Sequence, residues 1–122
     1  MPFIAVKANT KQGYELAEPG DSVNLAYPNS TTRRGRVGKQ VAQTLTSSPP
    51  QQGAVTMKSE IRRLTPKECF RLMGFDDADV DLLIENGISN TQLYKMAGNS
   101  IVVNMLEFLF CQIFDNNNEI WV

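Results

Sequence analysis

The sequence predicts an α+β fold, with a small β-rich, loop-heavy N-terminal half packed on a helical C-terminal half. Three observations carry that expectation. Over residues 1–60, short β-prone pieces alternate with clusters of Gly, Pro, Asn and Ser, the punctuation of strands and turns. Beyond residue 60, a helix-capping sequence and several glycine stops mark a series of helices. The last of these, ending near Phe114, is apolar on nearly every face.

Taken in order, Phe3–Val6, Ser22–Ala26 and Val41–Leu45 are the β-prone pieces. Asn29–Lys39 (NSTTRRGRVGK) is polar, basic and broken by glycine, and Ser47–Gly53 (SSPPQQG) is its Pro-rich counterpart. Both are expected to be loops. Residues 57–61 bridge into the helical half. Thr65-Pro66-Lys67-Glu68 reads as a capping box with proline at the first helical position. That helix should run to about Met73 and stop at Gly74. Phe75-Asp76-Asp77 should open a second helix through Glu85, with acids at its N-terminus and Gly87 past its end. A short helix over Thr91–Ala97 should break at Gly98. A last helix, about Ser100–Phe114, should follow, with Asn99 or Ser100 as its N-cap. No internal repeat is present.

The chain's 122 residues suffice for one small domain, and 42% hydrophobic with 20% charged residues is ordinary for a globular protein. A net charge of −1 argues against a strong nonspecific nucleic-acid binder, but the charge is uneven. Residues 1–60 carry seven Lys and Arg against four acids, and residues 61–122 carry five against nine. The first half is therefore a candidate phosphate-facing surface and the second is not. There is no histidine, so an imidazole base and the commonest zinc ligand are missing. Cys69 and Cys111 lie far apart with no CxxC, and no metal site is expected. Both thiols are expected to be reduced and buried on helical faces. No secretory leader is read, and the apolar 101–114 is too short to span a bilayer. A membrane role is not expected.

The last helix poses a packing problem. Ile101, Val102, Met105, Leu106, Phe108 and Leu109, together with Val103, Phe110, Ile113 and Phe114, cover nearly all of its surface. A helix apolar all round is normally buried all round. Each large apolar side chain gains about 1.5–3 kcal/mol on burial, and a small chain has little to bury them with. Either this helix is the core of its own domain, or one face docks on another chain; the first six residues are the candidate partner interface. The other chain could be a second copy.

Two dense blocks carry a resemblance. Arg63–Phe75 (RRLTPKECFRLMGF from Arg62) and Gln92–Leu106 (QLYKMAGNSIVVNML) resemble the ninth and tenth motifs of the DNA (cytosine-5) methyltransferases. In the first block Arg63, Leu64, Thr65, Pro66, Glu68, Arg71, Leu72, Gly74 and Phe75 match. Asp76 stands where the family usually has proline. The resemblance implies that this segment forms the base of the target-recognising domain. In the second block Gln92, Tyr94, Gly98, Asn99 and Ser100 match, followed by three β-branched residues. Here the resemblance implies a return to the catalytic domain that closes one side of the S-adenosylmethionine pocket. Phe75, Gln92, Tyr94, Gly98, Asn99 and Ser100 are therefore the candidate cofactor-binding residues. Read as residues alone, Gly-Asn-Ser is also an ordinary helix cap after a glycine break.

Upstream, Gly35–Gly53 resembles the end of the family's target-recognition region, and Gly13–Ser30 resembles target-region sequence from phage and mobile-element enzymes. That assigns double-stranded DNA as a partner and Arg33, Arg34, Arg36, Lys39, Thr44, Thr46, Ser47, Ser48, Gln51 and Gln52 as candidate contacts. Arginine and glutamine can pair bidentately with guanine and adenine edges, while hydroxyls mostly meet phosphate. The alternative is a solvated basic loop. The chain thus divides at about residue 60 into a DNA-facing remnant, 1–60, and a helical segment, 61–122.

The family's nucleophile is a cysteine after proline, and its partner glutamate lies in Glu-Asn-Val; neither sequence occurs here, nor does the Gly-rich cofactor loop. No catalytic residue is assigned, and the chain alone is not expected to methylate DNA. Three readings follow. The chain is the C-terminal piece or small subunit of a split methyltransferase with a catalytic partner. Alternatively, it is a non-enzymatic phage or mobile-element protein, binding DNA or inhibiting a host restriction or CRISPR nuclease; the Met1-Pro2 start and Trp121-Val122 end fit an independent protein. Or it is a truncated fragment of a parent enzyme. All three place it in the cytoplasm of a bacterial host.

Overall fold

The computed structural model describes residues 3–47 and 52–114. Six short strands precede four helices, an α+β arrangement as the sequence predicts. Strands β1 (Ile4–Lys7) and β2 (Tyr14–Ala17) form an antiparallel hairpin that pairs Ile4 with Ala17 and Lys7 with Tyr14. A second, fully antiparallel sheet has the order β4 (Val37–Gly38), β3 (Ser22–Asn24), β5 (Gln52–Val55), β6 (Ile61–Arg63). This sheet therefore extends to Arg63, just past the composition boundary near residue 60. The Glu15 carboxylate of β2 accepts hydrogen bonds from the Gly35, Arg36 and Val37 amides, which ties the hairpin to the strand beside it.

Val41–Leu45, expected as a strand, has no ladder partner. Side chains satisfy its backbone instead. Ser22 Oγ donates to the Val41 carbonyl and Gln52 Nε2 to the Thr44 carbonyl. Gln52 and Gly53, expected in a loop, form the start of β5, and Gln52 is buried. Its amide secures the neighbouring loop from inside the fold, a role polarity alone does not reveal.

The helices follow their caps closely. In α1 (Pro66–Leu72) the Thr65 hydroxyl accepts from the Glu68 amide and the Glu68 carboxylate accepts from the Thr65 amide, which completes the capping box. Gly74, at φ +84°, ends it in the left-handed conformation that glycine adopts without a Cβ penalty. Helix α2 (Asp77–Glu85) is followed by α3 (Asn90–Asn99). Gly98 does not break α3, which continues to Asn99. Ser100 is a C-cap, its hydroxyl donating to the Ala97 carbonyl, and α4 begins only at Val103. The expected N-cap role of Asn99 or Ser100 is therefore corrected: both belong to the end of α3.

Two small cores hold the chain together. Val6, Ala17, Val23 and Val55 pack among the strands, and Cys69, Phe70, Val80, Leu93 and Ala97 among α1–α3. Leu45 from the first half and Leu64 just ahead of α1 pack on the helical core, and Tyr94 donates a 2.7 Å hydrogen bond to the Leu64 carbonyl. Taken together, Asn90–Phe114 is 25 residues long and, with a window of mean hydropathy 1.4, apolar enough to cross a membrane by length and composition. Ser100–Val102 interrupts it, and Leu93 and Ala97 are committed to the chain's own core.

Candidate functional site

The α3–α4 junction is built around a missing side chain. A Cβ on Gly98 would collide with the Thr46–Ser47 peptide, so the loop after β4 lies directly against the end of α3. This contact brings together residues from the two halves of the chain: Gly98 and Ser100 on one side, Thr44, Thr46 and Ser47 on the other. Beside it is a cleft of about 370 Å³ lined by Ala42–Leu45, by Leu72 and Met73 at the end of α1, and by Gly98, Ser100 and Val102. The Asn99 side chain is exposed and makes no hydrogen bond among the described residues. Gln92, also exposed, lies two turns earlier on the same face of α3, about 10 Å away along the axis. Tyr94 and Phe75 are differently placed. Both pack on the helical core, Phe75 edge-on to Phe70 with ring centroids 5.5 Å apart. They support the junction from behind.

Among the candidate DNA contacts, Arg33, Arg34, Thr44, Thr46 and Ser47 are exposed. The Arg33 guanidinium lies 4.5 Å over the Tyr27 ring, an aromatic partner that sequence reading missed although Tyr27-Pro28-Asn29 is a turn signal close to the arginines. Arg36 departs from expectation. It is buried, and its guanidinium donates to the Lys7, Pro28 and Asn24 carbonyls, so it holds the loop's base and offers nothing to a ligand. Lys39 donates to the Leu16 carbonyl and to the buried Asp21 carboxylate at 2.9 Å. Burial pushes the Asp21 carboxyl up, but hydrogen bonds from Glu18, Lys39 and Gln40 outweigh it and hold it below its ordinary value. Lys39 is thus tied to Asp21 although its side chain stays exposed, and Gln52 is buried. Ser48 and Gln51 lie outside the described residues.

The charges of the first helical block are paired locally, Lys67 with Asp81 at 2.7 Å among them. Glu68 binds Arg62 bidentately at 2.7 and 2.9 Å, and Arg71 binds Asp77 at 2.6 and 2.7 Å. Cys69 is buried, and burial, helped by the Glu68 charge, pushes its thiol up to about 11. Cys111, expected to be buried, is exposed, on a helix that the described residues leave uncovered. Helix α4 (Val103–Phe114) has no buried residue. Met105 and Phe108 are more than 60% exposed, Ile101 likewise, and Leu109 is 46% exposed; Val102 and Leu106 are half-buried at the helix base. At its start the Val103 amide donates to the Met73 carbonyl and Asn104 fills the space beside Gly74. Among the described residues no cluster of His, Cys, Asp or Glu is spaced to hold a metal.

The chain belongs to the C-5 cytosine-specific DNA methylase family, which it matches over residues 4–115. It is 37% identical over 121 residues to the type II methyltransferase M.BanI of Aneurinibacillus aneurinilyticus, covering 97% of this chain and 27% of that protein. It is 57% identical over 56 residues to the orphan methyltransferase M.SPRI of Bacillus phage SPR, covering 46% of this chain and 13% of that protein. With M.HhaI of Haemophilus parahaemolyticus it shares 33% identity over 66 residues, 54% of this chain and 19% of that one. The chain thus spans about a quarter or less of these curated relatives. No solved structure matches.

Proposed function

We propose that this chain is the C-terminal piece or small subunit of a DNA (cytosine-5) methyltransferase. It supplies target-DNA contacts and one wall of the S-adenosylmethionine pocket to a catalytic partner, and is inactive without it. The observation that carries this reading is the placement of α4. The uncovered apolar helix starts three residues beyond Ser100, so whatever covers Ile101, Met105, Phe108 and Leu109 also comes up against the polar turn. The turn's residues fit one side of a pocket for a polar nucleoside ligand. Asn99 offers an uncommitted amide and Gln92 a second on the same face. Tyr94 and Phe75 act by packing, keeping α3 and the α1–α2 turn in place.

S-adenosylmethionine, when bound, supplies the electrophilic methyl group; the role of this chain is to hold and shield it. The nucleophile must come from elsewhere, because Cys69 is buried with its thiol pushed up to about 11, and neither Pro-Cys nor Glu-Asn-Val occurs. Arg33, Arg34, Thr44, Thr46 and Ser47 form the DNA-facing side, with buried Arg36 and Gln52, and exposed Lys39 through Asp21, holding its backbone. Work on DNA places the protein in the bacterial cytoplasm.

Two substitutions test the reading in the complex with a catalytic segment. Asn99→Ala with Ser100→Ala should weaken S-adenosylmethionine binding about 10-fold, the scale of one or two lost hydrogen bonds; unchanged affinity, measured by calorimetry, removes the turn from the cofactor site. Arg34→Ala should lower the salt slope of DNA binding by about 1; an unchanged slope removes Arg34 from the phosphate contacts.

A further inference from the structure

The loop between β3 and β4 carries a feature that the cofactor turn and the hydroxyl loop do not explain. Tyr27 is two-thirds exposed and has φ +51°, in the left-handed region that a bulky residue rarely adopts. The strain gains no burial, since the ring projects from the surface. It is held there from several directions. The Ser30 amide donates to the Tyr27 carbonyl, closing the turn. Beneath the turn, buried Arg36 donates to the Pro28 and Asn24 carbonyls, which lie on either side of Tyr27. The Asn9 amide donates to the Arg33 carbonyl at 2.8 Å, fastening the returning strand to the β1–β2 turn. Arg33 covers one face of the ring, and a hollow of about 450 Å³ opens beside it between Tyr27, Pro28, Asn29, Ser30 and Arg33. A second hollow of about 430 Å³ lies between Arg34 and Asn9–Lys11. No acid occurs in residues 1–14 or 22–34, so the tip is uniformly basic.

We propose that Tyr27, backed by Arg33, is a stacking contact of the DNA-reading surface, its free ring face packing against a deoxyribose of the bound duplex. An exposed aromatic ring among arginines suits a DNA backbone, because the ring packs on the apolar face of a sugar while the guanidinium charges meet the flanking phosphates. Fixing the ring in advance, at a cost in backbone strain, removes its ordering entropy from the binding step. The inference rests on the DNA-facing role proposed for this half of the chain, and it adds a residue that reads stacking where Arg34 reads charge.

The test measures binding of the full chain to a mixed-sequence DNA duplex by fluorescence anisotropy, between about 50 and 200 mM salt. Four proteins are compared: wild type, Tyr27→Asn, Tyr27→Phe and Arg34→Ala. Asparagine tolerates the left-handed backbone, so Tyr27→Asn relieves strain while removing the ring. The expected result is about a 5- to 100-fold weaker affinity for Tyr27→Asn with an unchanged salt slope and a melting temperature no lower than wild type. Tyr27→Phe should bind as wild type does. Equal affinity of Tyr27→Asn and wild type, or a loss accompanied by a lower melting temperature, overturns the stacking role alone. If wild type and Arg34→Ala are both without measurable affinity, the DNA-facing reading falls and the stacking role with it.

Discussion

Single residues decide how the two halves of this chain meet, and Gly98 is the clearest case. Inside a helix, alanine normally stabilises relative to glycine by about 1 kcal/mol. Here the added methyl would press on the Thr46–Ser47 peptide, and overpacking costs about 1–3 kcal/mol. Gly98→Ala should therefore lower the melting temperature, and a rise would mean that the loop does not sit against α3. Glu68 gives a second test. Its hydrogen bonds from Arg62, and then from Thr65, hold its carboxyl at about 2, below the ordinary 4.5. A carboxyl lowered on folding stabilises fully above the unfolded value, and that contribution is lost as pH falls through the folded one. The melting-temperature difference between wild type and Arg62→Met should thus be present at neutral pH and vanish as pH falls from about 4.5 to about 2. A difference that persists in acid would show that Arg62 acts through packing. The thiols separate in the same way: iodoacetamide at neutral pH should label Cys111 in the native chain and reach Cys69 only on unfolding, as peptide mapping would show.

At the scale of elements, α4 is the outlier. Helices α1 to α3 each bury at least one residue, whereas α4 buries none; its first turn meets Met73 and Gly74. Met105→Glu with Phe108→Glu should leave the melting temperature within error of wild type, because no contact in the chain's own core is lost. The same pair should abolish docking to a catalytic segment, since a carboxylate cannot be buried there without a partner. A large fall in stability would instead make α4 part of the chain's own core. Helices were legible in the sequence because their signals are local: Thr65-Pro66-Lys67-Glu68 specifies its cap whatever surrounds it. Strands were less so. Val41–Leu45 has β-prone residues but no ladder partner, while Gln52-Gly53 reads as loop and forms a buried strand, because strand formation depends on the neighbour. Gly98 suggested a helix break for a related reason: the loop that requires the glycine lies some fifty residues earlier, at Thr46 and Ser47.

For the whole molecule, the division of labour follows the charge. The basic first half carries the exposed arginines and the hydroxyl loop, the second the Gly98–Ser100 turn and the apolar helix, and the Gly98 contact joins them. The paired motifs were legible as a family signature, and so was the unsatisfied apolar helix. The individual contacts were not, because Arg36, Lys39 and Gln52 look like surface residues until their partners, backbone carbonyls and Asp21, are known. The central claim is that this chain completes an enzyme. The most direct measurement is methyl transfer from radiolabelled S-adenosylmethionine to DNA by M.BanI lacking the segment this chain matches, with and without this chain added. Restored transfer that is lost with Met105→Glu and Phe108→Glu is the predicted result. No restoration by a chain that nonetheless binds the truncated enzyme would contradict the claim.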